Sequence, residues 1–440
     1  MPRGGTEKGD VVDETTGRST IRTRTALRRS PLVVMLLLAV LAVPGLGSAA
    51  PGDLDPSFGS GGKVESASLG GVVNDAVVQS DGKILVVGGT LARLNADGSP
   101  DTSFGVGGLA DGGTGTASGN AIGLQADGKI VIVGYPNTPP YDGFRVARYT
   151  PSGALDPTFG VGGTTTTDMG TLAFPTDLAI SNGKIVVVGI TDQTETSNRI
   201  AVARYTSKGA LDPTFGNGGK VFTRFPGTSI ASAEAVTILS SGKILVVGAA
   251  GPISSSDFAL VRYYSNGALD NTFGSGGRVR TNLGMGDFGE AIAVQPNGKI
   301  VVGGYTTDNQ LDTRFALARY TSNGALDPGY GTGGIVRTSF SDGAAANEVV
   351  IQSDAKIVAI GSRFHGENPG VFALARYTTA GVLDTTFGGD GRVTTTFTND
   401  AFAVGGVVQP DGKILAVGTN GYTADGGDSH YTASLARYTA

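Results

Sequence analysis

Residues 290–337 read EAIAVQPNGKIVVGGYTTDNQLDTRFALARYTSNGALDPGYGTGGIVR. A short apolar strand (AIAVQ) meets a Gly-containing turn, and a second apolar strand (KIVVGG) follows. After a polar loop, an Arg-centred strand (FALARYT) ends in a turn, and a Gly pair introduces a fourth. The unit recurs seven times, and little after residue 53 lies outside it.

Three landmarks hold the register. The first is GKILV at 82–86, recurring with Lys83, Lys129, Lys184, Lys243, Lys299, Lys356 and Lys413. The second is the strand arginine: Arg93, Arg148, Arg204, Arg262, Arg319, Arg376 and Arg437. The third is an LDxxFG turn, from Asp55/Phe58 through Asp327/Tyr330 to Asp384/Phe387. Near-continuous apolar runs point to sheets covered on both faces. Four short strands per unit, seven units and no helical periodicity predict an all-β, seven-bladed β-propeller with four-stranded blades.

The two ends of the array are complementary. The last unit stops at Tyr438-Thr439-Ala440, directly after its third strand, whereas the first begins with LDPSFGSGGKV at 54–64 and nothing before it. A ring closes if residues 62–67 supply the outer strand of the blade built from 401–440, which removes two exposed sheet edges. The Arg and Asp landmarks say the same. Eight residues separate them in six units, but Arg437 has no Asp after it and Asp55 has no Arg before it. Arg437 is therefore predicted to pair with Asp55 across the closure, with Arg319–Asp327, Arg376–Asp384 and the other four pairs formed locally. A bidentate Arg–carboxylate pair suits such a turn. The turn Phe is read as a plug between blades, and the surrounding glycines as positive-φ turn residues.

Residues 1–50 are of another kind. Seven basic residues and four acidic ones occupy positions 1–30, and an uncharged stretch around VVMLLLAVLAV leads to Ser48-Ala49-Ala50. That is the layout of a signal peptide with an extended basic n-region, predicting a secreted, cell-surface or periplasmic propeller over 51–440. The apolar run is short and broken by Pro44, so no membrane span is expected after cleavage near Ala49 or Ala50. Arg28-Arg29 leaves both the general and the twin-arginine export routes open. Removing seven and four charges from the chain's 33 basic and 38 acidic residues leaves 26 against 34. An acidic mature protein has no basic footprint for nucleic acid. Cys is absent, which excludes disulfides, thiolate metal sites and cysteine nucleophiles.

LDxxFGxGGKV, AxxxQxDGKIxVxG and xALARYxxxG together resemble the delta-60 repeat family of bacterial β-propellers over roughly residues 53–440. Ala355 for the turn Gly, Tyr330 for Phe, Leu94 for Tyr and Ser99-Pro100 for Ala-Leu are the departures. The resemblance implies a propeller and export. It implies no activity and no functional residues.

Two places remain for function. The loops between the second and third strands vary freely on an otherwise constant scaffold, where recognition usually sits. Their candidate ligand-face residues are Tyr135, Tyr141, Arg363, His365, Tyr422, Asp425, Asp428, His430 and Tyr431. The shortest loop (first unit) and the longest (last unit) become neighbours on closure, suggesting a notch; plain loop variation is the alternative. The second place is the axis: Asp75, Asn120, Asp177, Glu234, Glu290 and Glu348 precede the first strand in six of the seven units and would ring a channel mouth if that strand lines it. Solvated strand starts would explain them equally.

No Ser/His/Asp, HExxH or paired-acid spacing appears, and no cofactor motif. The SDGK and PDGK turns are fragments of a calcium loop without its distal Glu, so calcium is the one ion worth testing. The reading is an exported, monomeric, non-enzymatic binding scaffold whose partner is a protein or glycan, with a hydrolase or lyase acting on a polysaccharide as the alternative. Absence of Trp and scarcity of loop Tyr argue against glycan stacking.

Overall fold

The computed structural model describes residues 49–110, 118–136, 143–170, 172–192, 198–252, 255–308, 312–364, 370–423 and 429–440. Seven antiparallel sheets follow one another along the chain, each starting with an inner strand A and moving outward through B, C and D. Apart from one 3-10 turn at Ala67–Leu69, every regular element among the described residues is a strand.

Blade 5 is the pattern for the rest: A is Gly286–Val294, B Ile300–Thr307, C Thr313–Tyr320 and D Ile335–Thr338. Blade 7 is made from both ends of the chain. Strands Asp400–Val408, Ile414–Thr423 and Ser429–Tyr438 are completed by Lys63–Ser66, which runs antiparallel to the last with Lys63 opposite Ala436 and Ser66 opposite Ala433. The ring is therefore closed by its own first strand, and the seven-bladed propeller stands. Blade 1 departs from four strands. Its sheet contains Val73–Val78, Ile84–Gly88 and Leu91–Leu94, and among the described residues its outer edge carries a bridge between Ala92 and Leu109.

Each of the seven apolar clusters draws on two consecutive blades. Strand B is buried along most of its length, as in Ile244–Gly251, because both faces of every blade meet a neighbour. The Phe of each LDxxFG turn reaches into the next blade. Phe104 abuts Gly153 so closely that a Cβ there would lie 2.9 Å from the ring, and Gly153 holds φ at +93°. Only glycine accepts both conditions. A backbone bond runs beside each plug, from Gly105 N–H to Ser152 O and so around the ring to Gly388 N–H and Pro51 O.

Strand A carries the feature that shapes the axis. In all seven blades its pairing with strand B slips by one residue near its middle, a β-bulge. The residues thrown out of register are Asn74, Asn120, Thr176, Glu234, Glu290, Asn347 and Val404.

Candidate functional site

One face of the ring, carrying the A–B and C–D turns, is occupied by its own chemistry. In each blade the repeat Asp sits between two cations. Asp327 Oδ2 accepts from Arg319 Nε at 2.7 Å and from Lys299 Nζ at 2.8 Å. Asp55 accepts from Arg437 and Lys413 at 2.7 and 2.9 Å, and Asp384 lies 2.9 and 3.1 Å from Arg376 and Lys356. The pairs are not bidentate. The second carboxylate oxygen of Asp55 is taken by Ser57 Oγ and N–H, so only Nε is left to approach Oδ2. The freed Nη1 crosses to the next blade, from Arg93 to Pro151 O at 2.7 Å and from Arg437 to Ala96 O. Each guanidinium also lies over its turn aromatic, 4.5 Å from Phe104 in blade 1 and 4.6 Å from Phe58 in blade 7. The lysines, used above only to set the register, are the third member of every cluster.

The opposite face, carrying the B–C and D–A connections, opens on an axial cavity of about 890 Å³. Asp75, Asn120, Asp177, Glu234, Glu290 and Glu348 all line it, together with Tyr135. The six do not form one ring of equivalent positions. Asn120, Glu234 and Glu290 are bulge residues, whereas Asp75, Asp177 and Glu348 follow a bulge, so two tiers are present. Blade 7 contributes Val404 and leaves the ring incomplete. Sequence spacing could not separate the tiers, because a bulge shifts the facing residue by one without a composition cue.

The bulge explains the neutral members. It leaves a carbonyl without a ladder partner, and the preceding blade supplies one. Asn120 Nδ2 donates to Pro175 O at 2.7 Å, Thr176 Oγ1 to Ala233 O at 2.8 Å, and Asn347 Nδ2 to Ala403 O at 2.6 Å. Post-bulge aspartates also bridge forward: Asp75 Oδ2 accepts from Ile122 N–H at 2.9 Å and Asp177 Oδ2 from Val236 N–H at 2.7 Å. Glu234 and Glu290 occupy bulge positions where a donor stands elsewhere, and each is followed by Ala.

Burial governs the charge of this cavity. It raises Asp75 to about 6 against hydrogen bonds from Ile122 and Ala76 that oppose it. Burial and repulsion from Asp75 carry Asp177 to about 7 and Glu348 to about 8. Glu234 and Glu290 are raised by burial, with mutual repulsion added at Glu234. No Lys or Arg among the described residues lines the cavity. Among the described residues, no three acidic or His side chains converge closely enough to hold a metal ion.

Of the loop candidates, Tyr141, His365, Asp425 and Asp428 lie outside the described residues, and the Tyr422 side chain does too. Arg363 Nη1 donates to Ser341 Oγ at 3.3 Å, away from the cavity. His430 and Tyr431 are exposed, and Tyr431 lies beside Gly71 in the connection that leads into the first strand of blade 1. Blade 1 turns through Gly89, which lines the axial cavity itself.

Sequence reasoning missed the aromatic residues beside the cavity, where Tyr135 lines the space and pairs with Phe174, because most of them come from strands rather than loops. Phe174, Phe288 and Phe402 stand two residues before the bulge in blades 3, 5 and 7, the position at which Val72 and Ser118 line the cavity in blades 1 and 2. Each is paired: Phe174 with Tyr135 at 6.3 Å edge-on, Phe288 with Tyr305 at 5.0 Å stacked, and Phe402 with Phe364 at 6.3 Å.

Six stretches, 79–104, 125–159, 180–215, 239–273, 295–330 and 352–387, match the family described as "Domain of unknown function (DUF5122) beta-propeller". No curated protein matches the chain. Among solved structures, the chain is similar to polysaccharide lyase Uly1 (12% identity, TM-score 0.46, 83% of this chain and 89% of that one). A PL25 ulvan lyase has 12% identity and TM-score 0.41 over 71% and 79% of the two chains. An aldose sugar dehydrogenase from Streptomyces coelicolor has 11% identity and TM-score 0.38 over 72% and 93%. All three scores are below 0.5, and nothing about this chain is taken from them.

Proposed function

Since six stretches between residues 79 and 387 match the DUF5122 β-propeller family, we propose that the chain is an exported, non-catalytic binding module that takes its ligand on the B–C face, over the axial cavity. The observation that carries this reading is the division of labour between the faces. The repeated Arg, Asp and Lys side chains of the A–B and C–D face are committed to one another, as in the Arg437–Asp55–Lys413 cluster. The polar groups of the axial cavity differ from blade to blade and converge on an open space of ligand size. The leader composition supports export.

The test is binding of the purified 51–440 domain to glycan and protein arrays, with and without calcium, beside a Glu234→Gln/Glu348→Gln variant. Ligands lost in the variant identify the face. An array profile identical for both proteins sinks the reading.

One observation favours a second reading, a hydrolase or lyase acting on a polysaccharide. Carboxyls held near neutral pH, Glu348 at about 8 and Asp177 at about 7, are suited to general acid catalysis. Release of reducing ends or unsaturated products from bound polymer, abolished by Glu348→Gln, would establish it.

A further inference from the structure

Resting on the binding reading, we propose that the ligand is an organic cation, a protonated amine carried on a body with flat apolar faces, of which an amino sugar is the nearest chemical type. Three features of the cavity select it. Its wall holds five carboxyls and, among the described residues, no basic side chain, so a cation, which favours their ionised forms, is the charge complement of the space. Glu290 has no hydrogen-bond donor among the described residues, and its carboxyl is enclosed except toward the cavity, leaving an acceptor with no partner inside the fold. A metal ion fits poorly: the acids are spread around an 890 Å³ space, and no three of them converge. Distributed acceptors suit a ligand whose charge is carried on a larger frame.

The aromatic residues beside the cavity supply the other half of the recognition. Phe174 and Phe402 are 40% and 42% exposed, and each is paired with a second ring. Tyr135 belongs both to one of these pairs and to the cavity lining. Aromatic faces attract both a cation and the apolar face of a ring. A small inorganic ion would use neither, and a neutral sugar would leave the carboxyls unmatched.

Calorimetric titration of the 51–440 propeller with a glucosamine tetrasaccharide, its fully N-acetylated counterpart, spermine and calcium separates these cases. The amino tetrasaccharide is expected to bind, and its neutral counterpart to bind roughly tenfold more weakly or not at all. Spermine tests charge without a ring and is expected to bind more weakly than the amino sugar; excess calcium is expected to leave the amine bound. Glu234→Gln/Glu290→Gln is expected to weaken the amine, and Phe402→Ala, outside the acidic wall, to weaken the tetrasaccharide but not spermine. Melting curves of both variants confirm that they fold. Equal binding of the neutral tetrasaccharide overturns the cation assignment while leaving the binding face intact. Spermine as tight as the amino sugar overturns the part given to the aromatic residues. Displacement by calcium overturns the choice of an organic cation. Amine binding unchanged in both variants overturns the face as well.

Discussion

Arg437 Nε lies 2.7 Å from Asp55 Oδ2 although 382 residues separate them in the chain. Lys413 reaches the same oxygen at 2.9 Å. The carboxyl is buried, which alone would raise it, but hydrogen bonds from Lys413 and Ser57 and the Arg437 charge hold it far below the usual carboxylate range. This cluster joins the first strand to the last at the closing blade. Asp55→Ala leaves two cations facing each other without a counter-charge, a loss of about 3–5 kcal/mol where such a pair is buried. A melting temperature equal to wild type would contradict the role given to the pair.

Gly267 holds φ at +88°, and a Cβ there would stand 2.9 Å from Val221 Cγ2 and 3.0 Å from Gly216 N. Gly267→Ala is expected to destabilise by roughly 1–3 kcal/mol, since neither the backbone nor the plug can yield. Gly276, at φ +59° with only Arg278 Nη1 at 3.9 Å, supplies the contrast. Gly276→Asn is expected to be close to neutral, because Asn tolerates the left-handed region in open space. Denaturant midpoints of the two variants decide it; equal losses would refute the plug.

Tyr263 Oη donates to Thr223 Oγ1 at 2.7 Å, from strand C of blade 4 to the outer strand of blade 3. The same bond links Tyr205 to Thr167, Tyr320 to Thr281, and Tyr438 to Thr395. Tyr263→Phe keeps the packing and strands the Thr hydroxyl, so a loss of about 1 kcal/mol is expected in equilibrium unfolding. A variant as stable as wild type would show that the ladder contributes packing alone.

Stability is expected to peak below pH 6. The axial carboxyls bind protons more tightly folded than unfolded, Asp75 to about 6 and Glu348 to about 8. The folded state therefore carries more protons between about pH 4 and 8, and stability falls as pH rises through that window, by about 1.4 kcal/mol per pH unit for each carboxyl still protonated. The cluster aspartates act oppositely. Their folded values are depressed, as at Asp156, to about 2, so their contribution is present above about pH 4 and lost as pH falls through the folded value. Glu234→Gln/Glu290→Gln should flatten the alkaline limb and leave the acid limb unchanged. Thermal scans from pH 3 to 9 would show it, and a maximum at pH 8 would refute the buried state of the ring.

The repeat made much of this legible. Gly at fixed offsets, apolar runs of strand length and an Arg–Asp interval of eight residues are local signals, and seven copies average away the noise in each. The Arg437–Asp55 partnership was readable because each residue lacked the neighbour its counterparts have. The site was less legible. Asp75 and Glu234 resemble members of one ring in sequence, but a bulge puts them on different tiers. Phe402 reads as an ordinary strand residue, and only the fold sets it, exposed, two residues before a bulge and against Phe364.

By itself the sequence determined the number of blades, their strand order and the point of closure, because these depend on periodicity and on unpaired edges, which are properties of the chain. Tertiary structure alone decided which side chains share the axial space. That outcome depends on where strand A slips against strand B and on which blade lies next to which, and neither distance is written along the backbone.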